Sequence, residues 1–264
     1  MATIKELLGI TKTIGEIGIE IEIESLTPIV HDKIKNWSRK EDHSLRGFSA
    51  EYVTSSPVSF ANVEQHLLTL KTALEENNII IEDSFRAGIH IHTNILDFYP
   101  AQIGNFCALY YVLEDVLIKY CGFSREGNLF CLTLSSAEDP LNKLIDFLQS
   151  NNLNVLNRDN IRYAALNLSS IPRHGSLEFR ALKTTKDWNK ILNWVKIIQK
   201  LKEYSLTIPT PVEISYQISS IGPEHFAKQV LGDELYKEIL IPNISSTIMR
   251  SLRNIQELIH WENL

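Results

Sequence analysis

Gly18-Ile19-Glu20-Ile21-Glu22-Ile23-Glu24 alternates strictly between branched apolar and acidic side chains. Successive side chains of a strand point to opposite faces, so a period of two over this length specifies a β-strand, read here from Ile14 to Glu24. Ile17, Ile19, Ile21 and Ile23 then share a face that must be covered by core. Glu16, Glu20, Glu22 and Glu24 share the other, with neighbouring carboxylates about 7 Å apart along the strand. Like charges held this close repel unless water, cations or protonation offset them. The face is either a solvated outer surface of an antiparallel sheet or a site for a hard cation such as Mg²⁺, which takes carboxylate oxygens.

Outward from that strand, strands and helices interleave irregularly. Trp37 to Ser59 carries turn signals at Arg46-Gly47 and Ser56-Pro57 with short extended pieces around them. Phe60 to Asn77 has Val63, Leu67, Leu68, Leu70 and Leu74 at helical spacing. Ile79 to Ile81 and Gly88 to Asn94 read as strands, and a helix follows from Pro100 to about Tyr120. Leu129 to Leu134 reads as a strand, a helix starts at Asp139-Pro140, and the asparagine-rich segment from Gln149 to Asn160 reads as a loop. Arg162 to Ser170 and Ser176 to Leu182 form a predicted hairpin across Pro172-Arg173-His174-Gly175. A long amphipathic helix takes Trp188, Ile191, Leu192, Val195, Ile198 and Leu201. Ile208-Pro209-Thr210-Pro211 cannot continue it. The expected organisation is a domain over residues 1–206 and a mostly helical C-terminal extension over 207–264 packed on it. The fold class is α+β, with an antiparallel sheet.

Composition bounds the function. The 264 residues are 44% hydrophobic and 22% charged, the profile of a globular protein. A net charge of −6 weighs against a nucleic-acid partner. Cys107, Cys121 and Cys131 are widely spaced and include no CxxC pair, which suits buried thiols in a reducing compartment. The N-terminal residues lack an apolar leader, and no run approaches the ~20 apolar residues of a membrane span. A cytoplasmic location is expected, with no membrane partner.

Two further strands carry charge on one face. In Gly88-Ile89-His90-Ile91-His92-Thr93-Asn94, His90, His92 and Asn94 face one way and Ile89 and Ile91 the other. Such a strand supplies metal ligands or donors to phosphate. In Ser176-Leu177-Glu178-Phe179-Arg180, Glu178 and Arg180 emerge together, as an ion pair or as a metal ligand beside a phosphate-binding guanidinium. Asp42, Ser44 and Glu51 add polar groups beside a turn. Arg162 and Asn167 differ in parity, so a regular strand cannot aim both at one site. Three strands that each gather Glu, His or Arg opposite aliphatics have the ingredients of a metal–phosphate site.

Gly18–Glu24, Asp42–Leu45, Ala50–Pro57, Gly88–His92, Arg162–Asn167, Leu177–Thr185 and Trp194, in this order, resemble the amidoligase family. That family lies within the carboxylate–amine ligase superfamily of glutamine synthetase and γ-glutamylcysteine synthetase. The resemblance implies a curved antiparallel sheet with helices on one face, binding ATP and two or more Mg²⁺ ions. It implies an amide- or peptide-forming ligase acting through an acyl phosphate on small-molecule or peptide carboxylates and amines. By the same likeness Glu20 and Glu22 would ligate different ions, Glu51 and Glu178 would complete their shells, and His90 would contact metal or phosphate with His92 beside it. Arg180 would hold the γ-phosphate, and Arg162 and Asn167 would lie near phosphate or substrate carboxylate. Asp42 and Ser44 would lie near the amine, whose proton Glu24 or Asp42 would accept. His43 stands where the family often has glycine. Relatives of this kind occur in phages and bacteria, and some form oligomers, so host cytoplasm and a homo-oligomer are both consistent. The rival readings are a metal-dependent amidohydrolase-like enzyme, which would need further His or Asp ligands, and a non-catalytic nucleotide- or metal-binding domain.

Overall fold

The computed structural model describes residues 2–11, 15–29, 33–137, 139–157, 163–239 and 241–261. Six strands form one sheet: β1 (Ile17–Ser25), β2 (Trp37–Lys40), β3 (Phe48–Thr54), β4 (Gly88–Asn94), β5 (Leu166–Asn167) and β6 (Ser176–Lys183). Their order is β2-β3-β1-β4-β6-β5, and every pairing is antiparallel. The alternating strand thus occupies the centre, as its fully apolar face requires. Ile14 lies outside the described residues. Glu16 precedes the strand, where its carboxylate accepts the Phe60 N–H at 2.8 Å.

The helices are α1 (Ile4–Leu8), α2 (Val63–Glu76), α3 (Pro100–Cys121), α4 (Asp139–Ser150), α5 (Ile171–His174), α6 (Trp188–Ser205), α7 (Pro211–Ile221), α8 (Pro223–Leu231), α9 (Asp233–Glu238), α10 (Ile244–Ser251) and α11 (Gln256–Trp261). The four β1 isoleucines, Ile89, Ile91, Leu177 and Phe179 are buried beneath this layer. Phe179 joins sheet to helices, its ring centroid 5.8 Å from Phe106 and 5.5 Å from Tyr110 on α3, and 6.3 Å from Trp194 on α6. Residues beyond 206 share this core: Ile214, Ile218, Phe226, Ile248 and Ile255 are buried in the same continuous cluster as the strands. The three cysteines are buried and free.

One irregularity shapes the polar face. Ile91 pairs with Phe179, but Ile89 pairs with Leu182, so β6 carries one extra residue between them. Such a bulge reverses the alternation beyond it. Ala181 and Leu182 are therefore both buried, and Lys183, opposite Gly88, returns to the face that holds Glu178 and Arg180.

Four segments differ from the sequence reading. The hairpin is shorter: β5 has two residues, and the connection runs through a 3-10 turn at Leu168–Ser170 and α5. Asn167 causes this, because its side chain accepts the Ser169 N–H and hydroxyl and turns the backbone away from the ladder. From Ile79 to Ile81 only an isolated bridge forms, between Ile81 and Ser25. From Leu129 to Leu134 there is again one bridge, between Leu132 and Ala164, before Thr133, Ser135 and Ser136 link their hydroxyls around a 3-10 turn. Within the segment read as a loop from Gln149, α4 continues to Ser150 and Leu153–Leu156 form a 3-10 helix; residues 158–160 lie outside the described residues.

Candidate active site

Register brings the charged faces of β1, β4 and β6 together. Glu20 pairs with His90, and His92 pairs with Glu178, so two imidazoles stand between acids from strands on either side. His90 is the hub. Its Nδ1 lies 3.2 Å from Glu20 Oε2 and 3.7 Å from Glu178 Oε1, and its Nε2 lies 3.5 Å from Glu22 Oε1. Ligand atoms of Glu20, His90 and Glu178 all lie within 4.8 Å of one another, close enough to share one cation. His92 diverges, its Nδ1 3.2 Å from Ser176 Oγ and its Nε2 3.5 Å from Glu20 Oε1.

Each acid is aimed by a fixed neighbour. The Gly88 N–H donates to Glu22 Oε2 at 2.7 Å. Asn167 Nδ2 donates to Glu178 Oε2 at 2.6 Å, and Arg180 Nη1 donates to Oε1 of the same carboxylate. Asn167 therefore orients an acid. Glu22 and Glu178 are only 6% exposed. Burial works to raise the Glu20 carboxyl, but the hydrogen bonds and charges of His90 and His92 outweigh it and hold Glu20 well below the usual range. Burial is likewise outweighed at Glu178 by Arg180, His92 and His90, so that acid also sits low. His92 is raised, as its bond to Glu20 and the Glu178 charge overcome burial. Glu51 goes the other way: burial, then repulsion from Glu20, push its carboxyl up to about 7. Glu51 stands opposite Glu22 across β1 and β3.

Glu20, Glu22, His90, His92, Asn167, Glu178 and Arg180, but not Glu51, wall a polar cavity of about 310 Å³ that also takes in Asp42, Ser44, Arg86, Arg125, Phe130, Tyr163, Arg173 and His174. Asp42 Oδ1 accepts the Ser44 N–H at 2.8 Å, and Arg86 Nη1 donates to the Ser44 carbonyl at 3.2 Å, which fixes the turn at the mouth. A second, more apolar cavity of about 470 Å³ shares Glu20, His92 and His174 with the first and includes Glu16, Lys40 and Leu96. His174 meets His92 edge-on at 6.1 Å, and burial followed by the His92 charge holds it below its ordinary value. Glu24 lines neither cavity: its carboxylate accepts the Arg46 N–H at 2.7 Å and anchors the same turn. Arg162 lies outside the described residues.

A family model described as "Putative amidoligase enzyme" matches residues 29–202, about two thirds of the chain. The chain belongs to this amidoligase family. The matched span includes His90, His92, Asn167, Glu178 and Arg180 but begins after β1, whose Glu20 meets His90 through sheet register. No curated protein sequence matches the chain. No helix among the described residues is long and apolar enough to cross a membrane.

Sequence patterning missed Arg125, Arg86, Phe130 and Tyr163. They lie in turns with no periodicity to mark them, and only tertiary packing brings them to the sheet. Arg125 has a weak signal in hindsight, as a cation directly after a helix that is buried along most of its length.

Proposed function

We propose that this amidoligase joins a carboxylate to an amine in an ATP- and Mg²⁺-dependent reaction through an acyl phosphate, on a sheet of the glutamine synthetase kind. The observation that carries the reading is the convergence of Glu20, Glu22, Glu178 and His90 with Arg180 in one polar cavity. The donor set suits a hard divalent cation: three carboxylates, two of them held low, beside one imidazole. Such an ion would neutralise charge on a phosphoryl group and align it for transfer. Glu20, Glu22 and Glu178 would hold it, with Glu51 nearby for a second ion. Arg180, its Nη1 on Glu178, would add fixed positive charge where phosphoryl oxygens gather.

A carboxylate is a poor electrophile and amide formation in water is uphill, so activation by phosphoryl transfer supplies both leaving group and driving force. The amine must lose a proton before it attacks. Of the two acids considered for that step, Asp42 lines the cavity and Glu24 does not, so we assign the proton to Asp42. Among the described residues the group able to share one cation takes His90 but not His92, which favours the ligase over a hydrolase built on paired histidine ligands.

The test is nucleotide turnover. ADP should be released only when carboxylate, amine and Mg²⁺ are present together. Amide hydrolysis without nucleotide would instead establish the hydrolase. Mg·ATP should raise the melting temperature of the wild type but not of Glu20→Ala or Arg180→Ala. Absence of any shift in the wild type would end the nucleotide assignment.

A further inference from the structure

Arg125 is the most deeply enclosed cation of the polar cavity, 1% exposed, and no carboxylate forms an ion pair with it among the described residues. Its Nε donates to the Ala181 carbonyl at 2.9 Å, and its Nη2 to the Arg180 and Leu182 carbonyls at 3.2 and 3.4 Å. The β6 bulge gathers these three carbonyls. The bonds occupy one edge of a planar group that carries five N–H donors and keeps its charge at any physiological pH. Nη1, at the other edge, is enclosed and meets no acceptor among the described residues. Arg180 Nε, on the neighbouring strand, is likewise enclosed without an acceptor among the described residues.

Buried donors and buried charges are retained where something satisfies them. Gly88 shows how close Arg125 stands to the carboxylates. A Cβ on Gly88 would collide with Arg125 Nη2, and it would lie 3.3 Å from His90 Nε2 and 3.5 Å from Glu22 Oε2. The guanidinium, His90 and Glu22 therefore flank a single glycine. A phosphate chain offers oxygens on several sides, so it can meet a cation held by Glu22 and two guanidinium groups at once. A substrate carboxylate has two oxygens in one plane and fits that arrangement less well.

We propose that Arg125 binds a phosphoryl oxygen of the nucleotide's polyphosphate chain through Nη1, forming with Arg180 a built oxyanion subsite beside the carboxylate cluster. The proposal rests on the nucleotide-dependent reading above. It assigns Arg125 two roles at once, fastening the bulge through its carbonyl bonds and gripping the ligand through its free edge.

Calorimetric titration of the full chain tests it, with Mg²⁺ alone and with Mg²⁺ plus the non-hydrolysable analogue AMPPNP, on wild type, Arg125→Lys and Arg125→Gln. The expected result is Mg²⁺ affinity within twofold of wild type in both variants and analogue affinity at least tenfold weaker, with Lys recovering part of the loss. Equal analogue affinity in all three proteins would overturn the subsite alone. Parallel losses of Mg²⁺ and analogue affinity would also overturn it, since they mark a purely structural residue. A wild type that binds Mg²⁺ but not the analogue would overturn the nucleotide reading and the subsite with it. If neither variant folds, ¹⁵N-arginine spectra of the wild type answer the same question: a buried Nη signal should shift with Mg·AMPPNP and stay in place with Mg²⁺ alone, and no shift with a bound analogue would refute the contact.

Discussion

At the scale of single residues, the site depends on charges held in states that only their neighbours explain. Glu20, partly buried, and Glu178, buried, stay ionised because imidazoles and Arg180 face them. Glu20→Gln and Glu178→Gln should each lower Mg²⁺ affinity by at least tenfold and abolish turnover, while circular dichroism stays unchanged. Glu51 makes the opposite prediction. Its carboxyl titrates near about 7 in the folded protein against an ordinary value of 4.5, so between those values the folded state holds a proton that the unfolded chain has lost. Its contribution to stability therefore falls as pH rises through that window. In chelator, denaturant midpoints from pH 5 to 8 should decline less in Glu51→Gln than in the wild type, and Mg²⁺ should restore more stability at pH 8 than at pH 6. Equal slopes would remove Glu51 from the cluster.

At the scale of elements, β1 was legible because its alternation is long and both faces are demanding. Isoleucines must be covered and glutamates must not, which leaves only a strand with helices on one side. β4 and the start of β6 carry the same alternation over fewer residues and were legible for the same reason. The bulge in β6 was not, because Ala181-Leu182 is as compatible with a strand end as with a parity reversal. The short β5 escaped as well, because Asn167 spends its side chain on a local turn and on Glu178 at once. Two substitutions probe this level. Phe179→Ala removes the ring that ties the sheet to α3 and α6 and should cost about 3–5 kcal/mol by urea denaturation. Gly88→Ala should disturb Arg125 and the Glu22 contact together, lowering metal affinity as well as stability. Wild-type metal affinity in that variant would show that the strand yields without moving the site.

At the scale of the molecule, one hydrophobic cluster runs from the sheet through α3 and α6 into the helices beyond residue 206. Calorimetric unfolding should accordingly give a single transition with matching calorimetric and van't Hoff enthalpies. Two separated transitions would mean that residues 207–264 fold as an independent unit. Ligand at ~100 times its dissociation constant adds about 2.7 kcal/mol to a cooperative fold, so Mg·ATP should move that single transition by several degrees. The sequence by itself determined the antiparallel sheet, its buried face and the acidic, imidazole and guanidinium groups that the other face presents. Side-chain alternation is a local property of the backbone, and it can be read one strand at a time. Only the tertiary structure decided which of those groups meet, that Glu24 anchors the turn at the cavity mouth without lining the cavity, and that Arg125 stands behind the bulge. Those outcomes depend on register and on turns packed from distant parts of the chain, where contact is set by the shape of the whole and leaves no periodic trace in the residues themselves.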